Sequence, residues 1–65
     1  MQKPNCKYVD DEERFLEQVG LAQNELCKIG EIASAREVYE RLIIKREAET
    51  FHEATMILSE YVRLV

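Results

Sequence analysis

Glu49 and His52 stand three residues apart, the Glu-x-x-His step by which helices of carboxylate-bridged di-metal bundles offer a carboxylate and an imidazole to one ion. That chemistry needs both side chains inside a bundle. On a helix they project opposite Ala54, Ile57 and Tyr61, so the spacing predicts a solvated histidine. His52-Glu53-Ala54-Thr55-Met56 opens like a zinc-protease helix, but methionine occupies the place of the second histidine and leaves an ion one ligand short. Cys6 and Cys27 lie 21 residues apart with no second pair, which is neither a zinc spacing nor a disulfide framework. Both are expected as free thiols, Cys27 half-buried on a helix and Cys6 in a tail. Pairing either with His52 as nucleophile and base would need a cleft, and there is no glycine-rich phosphate loop. The expectation is a non-enzyme without metal or cofactor.

Size and charge narrow the field further. A chain of 65 residues, 34% charged and 46% apolar, makes one small domain. Below roughly 70 to 80 residues a single core seldom supplies more than about 3 to 5 kcal/mol, so such a domain leans on disulfides, metal or a partner. Thirteen acidic against nine basic side chains give net charge −4, which repels nucleic-acid phosphates and anionic lipid. Arg36, Arg41, Lys45 and Arg46 do cluster, but Glu37, Glu40, Glu47 and Glu49 are interleaved with them, which reads as a solvated face with helix-spaced pairs such as Glu37 with Arg41. The longest apolar run is Leu42-Ile43-Ile44, and the opening Met1-Gln2-Lys3-Pro4-Asn5 has no apolar block, so a cytoplasmic protein is expected.

The elements that carry these residues read as all-α. Residues 1–9 form an expected flexible tail. Asp10 to Glu13 supply a cap and four negative charges for a helix over 11–29, whose seam is Phe15, Val19, Ala22, Leu26 and Ile29. Lys28 and Gly30 signal its end, with glycine free to turn left-handed. After a turn at 30–33, Ser34-Ala35-Arg36-Glu37 has the form of a capping box, and neither glycine nor proline follows it. The expectation is an antiparallel two-helix hairpin with a longer second helix over 35–64.

The hydrophobic pattern of that second helix does not close on itself. Two heptad-spaced lines widen to an apolar sector of about 200°, where one buried face needs roughly 100°. Six of the nine residues from Ile57 to Val65 are apolar, and the first helix is too short to reach them. Burying six such side chains is worth on the order of 9 to 18 kcal/mol gross. The segment therefore predicts a partner-binding ridge of Phe51, Ala54, Ile57, Leu58, Tyr61, Val62 and Val65. On that reading, Leu58→Asp and Val62→Asp abolish binding and spare helicity. Two other covers are open: the tail folded back, or a symmetric four-helix homodimer of a regulatory or structural kind.

The stretch from Lys45 to Val62, KREAETFHEATMILSEYV, resembles the second helix of the small co-chaperones of type III secretion needle subunits, the YscE/PscE family. The likeness extends over residues 12–65 as pattern and length, without an invariant chemical motif. It implies a cytoplasmic helical hairpin that binds a second chaperone of tetratricopeptide-like helices, the pair holding a needle subunit unpolymerised before export. Ala54, Ile57, Leu58, Tyr61 and Val62 fall on the apolar ridge of the family's second helix.

Overall fold

A helix of the expected 30 residues would be about 45 Å long, yet the longest dimension of the molecule is 28 Å. The computed structural model describes residues 3–65, so the first two residues of the expected tail lie outside the described residues. The described residues are mostly helical, as the pattern predicts, but they form three helices and a strand pair in place of a two-helix hairpin: β1 (Asn5–Cys6), α1 (Phe15–Lys28), α2 (Ile32–Tyr39), α3 (Phe51–Ser59) and β2 (Arg63–Leu64).

Asp11 rather than the expected Asp10 is the cap: it accepts from the Glu13 amide at 3.0 Å and opens a 3₁₀ turn over Glu12–Arg14, so α1 begins at Phe15 and not at residue 11. Val19, Ala22 and Leu26 of the predicted seam are buried. Ile29 is not, and Gln18 takes a place on the inner face instead. The helix ends as its last residues predict. Gly30 is left-handed at φ 81°, and the Glu31 amide reaches back to the Leu26 carbonyl at 2.9 Å, the bonding of a Schellman cap.

The capping box at Ser34 does not form. The Ala35 amide already bonds the Glu31 carbonyl at 3.1 Å, so α2 starts at Ile32 and Ser34 lies within its first turn. α1 and α2 make the closest helix pairing in the molecule, and Gln23 Nε2 donates to the Ala35 carbonyl across it.

The largest departure is the break in the second helix. After Tyr39 the helix widens into a π turn over Glu40–Ile44, with the Lys45 amide bonded to the Glu40 carbonyl at 2.8 Å. Arg46 then adopts φ 51°, a left-handed conformation carried here by a side-chain-bearing residue. The chain restarts at Thr50, whose hydroxyl accepts from the Glu53 amide at 3.1 Å, while the Glu53 carboxylate accepts from the Glu49 amide at 3.0 Å. Thr50-Phe51-His52-Glu53 is thus a helix start that overrides the helix-forming run before it. The break folds α3 back so that Ala54, Leu58 and Val62 complete one core with Val19, Leu26, Val38 and Leu42. A T-shaped pair, Phe15 with Phe51 at 6.2 Å between centroids, ties the starts of α1 and α3.

The expected flexible tail is a structured strap. Asn5 and Cys6 pair in parallel with Arg63 and Leu64, and the helical body serves as the long crossover that parallel strands require. Arg63 N donates to Pro4 O at 2.8 Å, Val65 N to Cys6 O at 2.9 Å, and Tyr8 N to Val65 O at 2.9 Å. Lys3 Nζ donates to Ser59 O at 2.6 Å. Cys6 and Val9 are buried under this arrangement, whereas Cys27 is exposed. The two cysteines are therefore free thiols in the reverse of their expected surroundings. The strap packs along the segment that the sequence left bare, where Leu58 and Val62 are buried while Val65 stays exposed.

Candidate functional site

Gln18 is the buried polar hub that fixes the strap. Its Oε1 accepts from Val9 N at 2.6 Å, and its Nε2 donates to Lys7 O at 3.0 Å and to Cys6 Sγ at 3.6 Å. Burial, with Glu25 second, pushes the Cys6 thiol up, against a smaller lowering by the Gln18 bond. A protonated, enclosed thiol is a poor nucleophile, so this cluster is structural.

The surface of α3 has more to offer a ligand. Residues at spacing four, Ala54, Leu58 and Val62, point inward and are fully or nearly buried. Between them the helix turns Met56 to solvent, 59% exposed, beside the half-buried Ile57. Glu53 and Glu60, from the turns before and after, and Glu47, from the break, complete an open groove over these two apolar side chains. Three of its five lining residues carry carboxylates and none is a cation.

Arg41, on the π turn, anchors the groove's acidic edge. Its Nε donates to Glu47 Oε1 at 2.9 Å, and its Nη1 to Tyr61 Oη at 3.0 Å and Glu60 Oε1 at 3.5 Å. The guanidinium also lies 5.9 Å from the Tyr61 ring centroid. The Tyr61 hydroxyl donates to Glu37 at 2.5 Å, so the expected Glu37–Arg41 pair is replaced by one bridged through the phenol. Hydrogen bonds from Arg41 to Tyr61 and then Glu47 raise the Arg41 pKa, so its charge is permanent. Burial, then the bond to Glu37, raises that of Tyr61 and keeps the phenol protonated. Glu37, Glu47, Glu53 and Glu60 against Arg41 leave a local charge of 1 − 4 = −3.

The seven residues of the expected partner-binding ridge do not share a face. Ala54, Leu58 and Val62 belong to the core, because the break and the strap supply the cover that a straight helix lacked. Phe51, Ile57 and Tyr61 are half-buried, and Val65 is exposed beside the strap. Sequence reasoning passed over Met56, Glu53, Glu47 and Glu60. The spacing Glu53, Met56, Glu60 marks an outward helix face, but an apolar residue there looks like part of the core until the inner face is known.

His52, in the first turn of α3, is exposed as its helix position predicts, whereas Glu49, also exposed, lies in the break before α3, so the two do not share the expected helix. Among the described residues no three His, Cys, Asp or Glu side chains are arranged to hold a metal ion. Among the described residues no helix is long and apolar enough to cross a membrane. The chain matches no protein-family model, no curated protein and no solved structure.

Proposed function

We propose that the protein is a docking module that acts by binding another polypeptide along the outer face of α3. The observation that carries this reading is the groove itself, an exposed methionine and a half-buried isoleucine set among carboxylates. An apolar floor favours an inserted side chain, and Met adapts to varied shapes. The carboxylates favour lysine or arginine on either side of it and repel acidic segments. The occupant so defined is an apolar residue flanked by cations.

The specific form of this reading is the co-chaperone role implied by the family resemblance. The α3 face would meet a tetratricopeptide-like helical chaperone, and the pair would keep a secretion needle subunit soluble in the cytoplasm before export. The contact residues are then Met56 and Ile57 with the carboxylates around them, while Ala54, Leu58 and Val62 remain inside. The experiment is co-purification with such a chaperone, comparing Met56→Asp with the native chain. Met56→Asp should weaken the complex by about tenfold or more and leave the melting temperature of the free chain unchanged. Retention of full binding by that variant would remove the groove from the interface and the reading with it.

A further inference from the structure

The same chain carries a segment with the chemistry the groove selects. Ile44 closes the π turn with its side chain 65% exposed, and Lys45 and Arg46 follow it directly, both exposed. Lys45 reaches one carboxylate, Glu40, at 3.5 Å, and Arg46 makes no ion pair among the described residues. We propose that a second copy of the chain fills the groove, with Ile44, Lys45 and Arg46 of each protomer seated on Met56, Ile57 and the carboxylates of the other. This rests on the groove being the docking surface, and it names the occupant in the free protein.

Charge supports the pairing, since Arg46, which makes no ion pair among the described residues, and Lys45, held by Glu40 alone at 3.5 Å, meet a groove rimmed by Glu47, Glu53 and Glu60. The backbone supports it too. Two departures from regular helix, the π turn and the left-handed Arg46, fall within the seven residues from Glu40 to Arg46 that present Ile44. Such conformations persist where the structure or its use requires them. At the end of α1 the left-handed position is filled by Gly30, which adopts it without a side-chain penalty. At the second end an arginine stands there, which places a cation beside the exposed isoleucine.

Knob and groove adjoin on one chain, since Arg46 is followed by Glu47 of the groove lining, and in a two-fold dimer each is used twice, which closes the assembly where a head-to-tail contact would leave it open. The surface is small. Ile44, Lys45, Arg46, Met56, Ile57 and their carboxylate partners amount to well under the roughly 20 to 30 residues a side of a standard interface. The dimer is therefore weak, with a dissociation constant on the order of 10 to 100 μM. It is readily displaced by a partner with a better-fitting segment, and until then it masks Ile44 and Met56 from nonspecific contacts.

Sedimentation of the whole chain across a concentration series tests this. The mass should rise from 7.6 kDa toward twice that value, and the association should weaken about tenfold between low and high salt as the charges are screened. Ile44→Asp and Met56→Asp, both at exposed positions, should each hold the chain at monomer mass with unchanged circular dichroism. Arg46→Gly should raise the melting temperature yet weaken association, a split that a purely structural arginine would not produce. A monomer at every concentration overturns the proposal, as does a dimer indifferent to both aspartate variants. A synthetic peptide of residues 41–46 separates this failure from that of the docking reading. If it binds the native chain and not Met56→Asp while the chain stays monomeric, the groove stands and the second copy falls. If the chain stays monomeric at every concentration and neither the peptide nor a chaperone binds, both readings fall.

Discussion

Replacing Gln18 by leucine tests how the strap is held. The two side chains are close in size, so Gln18→Leu keeps the volume of the site and removes three hydrogen bonds, at 2.6, 3.0 and 3.6 Å. The Val9 amide and the Lys7 carbonyl then lose their partner. A typical intramolecular hydrogen bond contributes about 1 kcal/mol net, and a buried group left unpaired costs about 1 to 3 kcal/mol. The closed strap should lose about 2 to 3 kcal/mol relative to an open form in which water satisfies both groups. A chain of this size has on the order of 3 to 10 kcal/mol of total stability, so the helical body survives.

Cys6 reports the opening, because its thiol is enclosed only while the strap is closed. In a Cys27→Ser background, which removes the exposed thiol, labelling by a disulfide reagent at neutral pH follows the open fraction when closing is fast. A loss of about 2 to 3 kcal/mol raises the open fraction, and so the labelling rate, roughly 30- to 150-fold. Helical circular dichroism should change little. If Gln18→Leu leaves Cys6 labelling at the native rate, the hydrogen-bond hub does not hold the strap. If native Cys6 reacts as fast as Cys27, the strap is not closed at all.

Leu58→Ala should cost about 2 to 5 kcal/mol in denaturant midpoint analysis through the cavity it opens, whereas Met56→Ala on the same helix should fall within about 0.5 kcal/mol. A reversed order would mean that α3 is rotated about its axis. Leu58→Asp, by the same logic, should unfold the chain rather than spare its helicity. Thr50→Ala should lose about 1 kcal/mol with its cap while Thr50→Ser keeps most of it, a comparison that checks whether a helix truly starts there. The raised pKa of Tyr61 makes its contribution to stability complete below the ordinary tyrosine value of 10.0 and lost as pH climbs through the higher folded value. Tyr61→Phe should accordingly flatten the decline of melting temperature above that pH.

Several elements were legible because their signals are local. Gly30 following Lys28 marked the end of α1, and Val19, Ala22 and Leu26 marked its inner face, since helical spacing and a left-handed glycine depend on a few neighbouring residues. The solvated position of His52 followed from the same geometry. The break at 45–50 was also written in the residues, as the Thr50 to Glu53 cap, but Lys45 to Glu49 are good helix formers and no glycine or proline interrupts them. Local preference alone left the contest between run and cap undecided. The candidate groove was less legible still. Ile57, Leu58, Tyr61 and Val62 are apolar alike, and only the path of the chain tells which of them the core absorbs.

The sequence by itself determined a small acidic chain, mostly helical, with the end of α1 marked by residues that satisfy their own backbone groups. Tertiary structure decided that the second helix breaks, that residues 3–9 become a strap, and that Met56 rather than Leu58 faces outward. The reason is the range over which each preference acts. Capping and helical spacing are settled within a turn or two. The cover for an apolar ridge comes from segments more than 50 residues away, as when Cys6 pairs with Leu64. That pairing is decided by which compact arrangement buries the most apolar surface with every polar group satisfied.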